Sequence, residues 1–312
     1  MIVARRVGTV AGTVVLSVSL FATTAAASDV TDLLHRVQQS TYTANRLVVS
    51  MWNGDTRVSS EFVEHSSGME MVRVDSVWSI VGNGRSVVVS DEPQGVAFFS
   101  PSKPIETGRY TVGSVTDVSH MRRDCQIVEV MEGDIVRANF LVDRRTGAPL
   151  ITEILTDTGE VFRRSSLQNF KAYRTYAAPI DQNGIEYEVV MPLESSLLPS
   201  SVAGYQLIDI FPAPGGSEQG FYGDGLFTFS LFVLSRATDV TGFEEARTLV
   251  TASGRYELAP TPSDVRIHWR AGETHYVIVG DLPPDHAAEV LAELPAPSAP
   301  SVFTQLWEKL FG

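Results

Sequence analysis

Val30, Leu33, Leu34 and Val37 recur at helical spacing just after Ser28 and Asp29, and either of those two can cap the helix they predict. From Arg46 the period falls to two. Arg46 to Trp52, the pair Asn53-Gly54, and Thr56 to Glu64 predict a hairpin, because Asn-Gly supplies the positive φ values of a type I′ turn. Met69 to Asp75 alternates again, and Val77 to Val81 with Ser86 to Ser90 predicts a second hairpin across Gly82-Asn83-Gly84. Four more strands follow, at Gln126–Met131, Ile135–Val142, Leu150–Thr156 and Val161–Phe170, separated by the turn signals Glu132-Gly133-Asp134, Thr146-Gly147 and Thr158-Gly159. Closely spaced strands after one helix predict a large antiparallel sheet rather than βαβ units.

Residues 176–200 break the pattern. Pro179, Pro192 and Pro199 punctuate a stretch that also holds Asn183-Gly184 and two Ser-Ser pairs, and a domain boundary is placed there. The second segment opens with Tyr205 to Phe211. Its centre is Phe221 to Leu234, a turn followed by a strongly apolar strand, and Arg247–Glu257, Val265–Trp269 and Tyr276–Val279 continue a sheet. Pro283-Pro284 then starts a helix, since proline suits the first helical turn, and Val290, Leu291 and Leu294 form its buried face. Pro295 to Pro300 is a stiff linker. Beyond it Phe303, Leu306, Trp307, Leu310 and Phe311 line one side of a short amphipathic helix. That helix could fold back on its own domain, fill a partner's groove or lie on a membrane. Lys309 is its one basic residue, which argues against the membrane.

Charge and the N-terminus narrow the function classes. The 312 residues carry a formal net charge of -13. Arg5 and Arg6 are the only charges in residues 1–27, so the rest of the chain is more acidic still. Phosphate contacts need clustered Lys and Arg, so nucleic acid is set aside as a partner. Arg5-Arg6, the apolar run Val7 to Phe21 and the small residues Ala25-Ala26-Ala27 together predict an export signal cleaved before Ser28; the run is short for a membrane span. An uncleaved N-terminal anchor is the alternative. Cys125 is the single cysteine, so no intrachain disulfide forms, and with no Cys next to the apolar run a lipid-modified N-terminus is not expected.

The search for chemistry is mostly negative. There is no Gly-x-Ser-x-Gly elbow, no His-Glu-x-x-His and no Walker-type loop, and Gly82-Asn83-Gly84 lies between strands where a hairpin turn accounts for it. Cys125 with His120 and Asp124 is the one Cys/His cluster, but Cys125 begins an apolar strand and reads as an inert core residue. His268 and His275 fall in neighbouring strands without a third ligand, so no metal is expected, and no cofactor or catalytic residue is assigned. The Arg pairs 122–123, 144–145 and 163–164 are read as strand residues that put at most one arginine on either face, as solvated sheet edges, with a patch for an acidic partner segment as the sharper reading. Met51, Trp52, Met69, Met71, Trp78, Phe98 and Phe99 could line an apolar cavity in a curved sheet and take an acyl chain; filling the core is the plainer role.

Several segments carry a resemblance. Phe221-Tyr222-Gly223-Asp224-Gly225-Leu226-Phe227-Thr228-Phe229-Ser230 resembles the YSDGLFSFS stretch of the RseB/MucB regulators of extracytoplasmic sigma factors. Val279-Gly280-Asp281-Leu282-Pro283-Pro284, Asp124 to Val130, and the strand–turn–strand Leu141 to Leu150 are similar to that family too, in the same order. Residues 40–100 match it poorly, and the helix beyond Pro300 is not part of the pattern.

The resemblance implies an α+β chain: a large half-open antiparallel sheet with a covering helix, like the lipoprotein carriers LolA and LolB, and a smaller mixed α/β C-terminal domain. The domain reading is a signal peptide at 1–27, the large sheet domain at 28–175, a linker at 176–200, the small domain at 201–294, and the Pro-rich linker with its helix at 295–312. Family members are not enzymes. They bind the extracytoplasmic part of a membrane anti-sigma factor and shield it from proteolysis until a lipid-type signal releases them. The expectation for this chain is therefore an exported, non-enzymatic regulator, peripheral to the membrane at most, with an anti-sigma factor's outer segment as partner and a lipid-type ligand. Phe221, Tyr222, Phe227 and Phe229 are the first candidates for partner contact, half of them facing inward. The alternative is a lipid or lipoprotein carrier of the envelope. An exported hydrolase would need a catalytic cluster formed only in three dimensions.

Overall fold

The computed structural model describes residues 30–52, 54–66, 69–74, 77–82, 85–89, 97–99, 108–173, 187–189, 197–213, 217–234, 240, 243, 245–262 and 264–298. The expected signal peptide, most of the linker and the C-terminal amphipathic helix lie outside these residues.

The first helix, α1 (Val30–Gln39), buries Leu33 and ends where the Ser40 hydroxyl donates to the Val37 carbonyl at 2.6 Å. The chain then enters β1 (Thr41–Trp52), five residues earlier than the apolar alternation suggests. The extra residues, Thr41 to Asn45, alternate small polar with Tyr42 and Ala44, and both of those point inward. β2 (Asp55–Ser66) pairs with β1 along its whole length, from Thr41–Ser66 to Trp52–Asp55. β3 (Met69–Val74), β4 (Val77–Gly82) and β5 (Arg85–Val89) extend this side as a meander, and β6 (Ala97–Phe99) lies apart.

β7 (Tyr110–His120) has no counterpart in the sequence reading. It is an edge strand, mostly exposed or half-buried, and a bulge between Val112 and Val115 breaks its alternation. β8 (Arg123–Glu132), β9 (Ile135–Asp143), β10 (Pro149–Leu155) and β11 (Val161–Ala172) follow at the predicted places. The resulting 10-stranded sheet runs β5-β4-β3-β2-β1-β11-β10-β9-β8-β7, with β5 and β7 as its edges among the described residues, so it is open. β12 (Tyr187–Val189) falls within the expected linker and pairs in parallel with β6.

The second sheet has eight strands. They are β13 (Ser201–Val202), β14 (Tyr205–Ala213), β15 (Ser217–Gly223), β16 (Thr228–Leu234), β17 (Arg247–Thr251), β18 (Gly254–Pro260), β19 (Val265–Ala271) and β20 (Thr274–Gly280). Their order is β13-β14-β15-β16-β20-β19-β18-β17, antiparallel throughout. The run Arg247–Glu257 is two strands, because Ala252-Ser253 makes a turn inside it. The helix α2 (Pro284–Glu293) starts at the predicted prolines and buries Ala287, Val290 and Leu291. The fold is thus an open antiparallel sheet carrying one helix, joined to a smaller sheet carrying another.

Both sheets share one apolar core. It runs from Leu33, Trp52, Phe140 and Phe162 on the first side to Tyr222, Phe227, Trp269 and Leu291 on the second. Cys125 is fully buried with Leu141 and Leu150, and burial followed by the neighbouring Asp143 pushes its thiol pKa up, which fits an inert residue.

Candidate functional site

The polar residues that the fold brings together lie where the two sheets meet. Arg109 and Tyr110 enter β7 on the first side. The Tyr110 hydroxyl donates to Asp224 Oδ2 at 2.6 Å, and both side chains are buried. Asp224 opens the turn between β15 and β16; its Oδ1 accepts the Leu226 and Phe227 amides at 3.0 and 2.8 Å. Gly225 at φ 101 completes a turn that a β-carbon would strain. Burial and the Asp224 carboxylate raise the Tyr110 pKa, so its hydroxyl remains a donor.

A second group tethers α2. The Arg109 guanidinium pairs with Glu132, donates to the Ala203 carbonyl at 2.9 Å, and reaches Glu289 on α2 at 3.3 Å. Arg137, 1% exposed, donates to Asp285 of α2 at 2.6 Å and lies 3.2 Å from Glu132. His286, the next residue of α2, contacts Glu132 through Nε2 at 3.1 Å and the Tyr205 hydroxyl through Nδ1 at 2.6 Å. The same Nε2 lies 3.1 Å from the Arg109 guanidinium, so it faces an acceptor in Glu132 and a donor in Arg109. Burial alone would raise the Glu132 carboxyl, but hydrogen bonds from His286 and Arg109 override it and hold its pKa at about 2.

Elsewhere along the seam, Ser50 donates to the Thr261 carbonyl at 3.2 Å, and Arg247 pairs with Asp55 at 2.5 Å. Arg163 is buried over the Phe162 ring, 4.9 Å from its centre, while Arg164 faces outward to Glu153. That pair splits across the sheet as expected. Arg144 and Arg145 do not, because they sit in the turn after β9 and both are exposed.

The four aromatics assigned to partner contact are all buried, which corrects that expectation. Tyr222 stacks on Phe229 at 5.0 Å and donates to the Pro199 carbonyl; Phe227 meets His286 and Tyr110 edge-on. Phe221 and Tyr222 face opposite sides of β15, so that strand is covered on both faces. The cavity assignment also changes where it can be seen. Trp52 packs edge-on against Phe162 at 5.4 Å inside the shared core, whereas Met51, 39% exposed, faces the other way. Adjacent strand residues cannot line one cavity. Met69, Met71, Trp78, Phe98 and Phe99 sit in β3, β4 and β6, but their side chains lie outside the described residues.

On the outer face of the second sheet His268 and His275 do meet, with Nε2 and Nδ1 3.0 Å apart, and Glu257 accepts from His268 Nδ1 at 2.7 Å. Burial, then His268 and Arg270, lower the His275 pKa. They border a cavity of about 390 Å³ with Arg255, Trp269 and Pro297. Among the described residues no three His, Cys, Asp or Glu side chains gather as a metal site.

No protein-family model and no curated protein matches the chain. Among solved structures it is similar to MucB from Pseudomonas aeruginosa in the MucA/MucB complex, at 19% identity and TM-score 0.49, covering 86% of this chain and 99% of that one. It is similar to MucB alone at 18% identity and TM-score 0.46, covering 84% and 96%. A LolA superfamily protein from Nitrosomonas europaea aligns at 10% identity and TM-score 0.22, covering 83% and 97%.

Proposed function

We propose that the chain is a non-enzymatic, exported regulator that binds the extracytoplasmic segment of a membrane anti-sigma factor and slows its proteolysis, with a lipid-type ligand as the release signal. The observation that carries this reading is that the segments bearing the sequence resemblance pair two by two, Phe229 beside Gly280 in the second sheet and Cys125 beside Asp143 in the first. Thr228, in the first segment, donates its amide to Asp281, in the second, at 2.8 Å, and Asp224 of the first segment takes the Tyr110 hydroxyl from the other sheet. Asp143 of the strand–turn–strand segment caps its own turn through the Arg145 and Thr146 amides at 2.9 and 3.2 Å and holds Arg123 at 2.7 Å. Each pair of segments therefore forms one supporting unit, the first beside the joint and the second at the other end of the large sheet.

The partner class follows from the resemblance. The chemistry present suits binding rather than catalysis, because the carboxylates and histidine at the joint are engaged with each other and with Arg109, Arg137 and Tyr205. The test is calorimetry between the chain from Ser28 onward and the purified outer segment of the host's single-span anti-sigma factor, followed by cleavage of that segment by its envelope protease. Saturable binding with slowed cleavage is expected, reversed by envelope lipid extract. No binding, or cleavage at an unchanged rate, overturns the proposal.

A further inference from the structure

The end of the first sheet farthest from the joint concentrates positive charge on an otherwise acidic chain. Three connections converge there. The β7–β8 turn carries Met121 and Arg122, and the β9–β10 turn carries Arg144 and Arg145. The Arg144 amide donates to the Asp124 carbonyl at 3.0 Å, which holds the two turns side by side. The end of α1 joins them: a β-carbon on Gly147 would stand 2.8 Å from the Arg36 carbonyl. The close of β11 adds Lys171 beside Phe170, whose ring lies 4.8 Å under the Arg123 guanidinium. Asp143 takes Arg123 and Asp117 takes Arg144, while Asp124 is exposed nearby. Arg36, Arg122, Arg145 and Lys171 are exposed, and none has a carboxylate at ion-pair distance among the described residues.

The apolar residues at this end are as unusual as the charge. Met121 is 80% exposed, more than any other large apolar side chain described, and Tyr173 is 49% exposed. Met121 and Arg122 both hold left-handed backbone, at φ 48 and 63. A two-residue type I′ turn favours Asn and Gly at these places, so Met-Arg is a strained choice there. The turn holds a long apolar side chain out into solvent beside a cation.

We propose that this tip docks on an anionic phospholipid surface, with Met121 and Tyr173 entering the headgroup region and Arg36, Arg122, Arg145 and Lys171 facing the phosphates. Basic residues beside a protruding apolar tip and an interfacial tyrosine suit a charged bilayer surface. Arginine clusters also take acidic peptides, but an acidic peptide has no use for a long apolar side chain held in solvent beside them, as Met121 is. The described cavity lies on the other sheet, beside His268 and His275. Docking here leaves the inter-sheet joint turned away from the bilayer, and it does not depend on the identity of the protein partner.

The experiment is co-sedimentation of the chain from Ser28 onward, which contains every described residue, with vesicles of equal phosphatidylglycerol and phosphatidylcholine and with pure phosphatidylcholine. Met121→Asn with Arg122→Gly installs the favoured turn pair while removing the apolar tip and one cation. Its thermal midpoint is expected to rise as its binding to the anionic vesicles falls by about fivefold or more. Arg145→Glu with Lys171→Glu is expected to abolish that binding, and raised salt to weaken it in the unaltered chain. Absence of sedimentation with phosphatidylglycerol vesicles at low salt, or equal binding by the turn variant, overturns the proposal. Binding of polyglutamate in place of the vesicles overturns it as well and assigns the tip to an acidic peptide.

Discussion

Tyr110→Phe removes one oxygen atom from the joint and leaves its packing in place. The lost bond is 2.6 Å long, runs from a neutral hydroxyl to the Asp224 carboxylate, and is buried at both ends. Hydrogen bonds to a charged group are worth about 1.5–3 kcal/mol net. Two features set the value within that range. Asp224 Oδ1 keeps the Leu226 and Phe227 amides, so the turn survives, and Arg109 lies 3.7 Å from Oδ2, close enough to recover part of the loss. A destabilisation of about 2 kcal/mol follows. Urea unfolding followed by tryptophan fluorescence measures it, with Asp224→Asn and the double variant closing a cycle. The m-value should not change, because the surface exposed on unfolding is the same. A loss below about 0.5 kcal/mol, or two single losses that simply add, would refute the view that this bond couples the sheets.

Other predictions address the rest of the joint. Arg137→Met keeps the stem but leaves Glu132 and Asp285 without their shared cation; a cost of about 3 kcal/mol is expected by denaturation, with Asp285→Asn partly restoring stability in the double variant. Glu132 has its pKa depressed from 4.5 to about 2, so its contribution is complete above pH 4.5 and fades as pH falls toward 2; Glu132→Gln should remove stability of order 2–3 kcal/mol at neutral pH and flatten the acid limb in that window. Gly280→Ala puts a β-carbon 2.5 Å from the Thr228 carbonyl oxygen and from Phe229, where backbone must yield; a loss of about 2 kcal/mol is expected from thermal unfolding, while Gly272→Ala, with open space around it, loses only what its positive φ demands.

Most of the strands were legible because their faces differ. β8 to β11 each put apolar residues on one side, and their turns carry Gly at positions of positive φ, at Gly133, Gly147 and Gly159. β7 was not legible for the opposite reason. As an edge strand with a bulge at Gly113-Ser114 it covers little core, so Tyr110-Thr111-Val112 and Val115-Thr116-Asp117 never settle into one alternation. The beginning of β1 was lost because Thr41, Thr43 and Ala44 are small, and smallness conceals which side is inside. The break between β17 and β18 was lost because Ala252-Ser253 carries neither Gly nor Pro, although Gly254 follows at φ 153.

The joint itself could not be read from local patterns. Its bonds span 114 residues from Tyr110 to Asp224, 148 from Arg137 to Asp285 and 154 from Glu132 to His286. Each of those residues, in its own stretch, looks like an ordinary polar side chain on a strand, in a turn or in a first helical turn. The motif segments were legible, and their role explains why they misdirected the choice of contact residues. Asp224, Asp281 and Asp143 bind backbone amides, Gly280 admits a neighbouring strand, and Phe227, Phe229 and Tyr222 fill the interior. Side chains engaged in that way are withdrawn from solvent and cannot touch a partner. A resemblance carried by such residues can therefore point to a shared frame, and through it to a class of function, while the contacts that would select a particular partner must come from exposed positions that the motifs do not contain. Met121 and Arg122 fit that division, because both are exposed and lie just outside the segment from Asp124 to Val130.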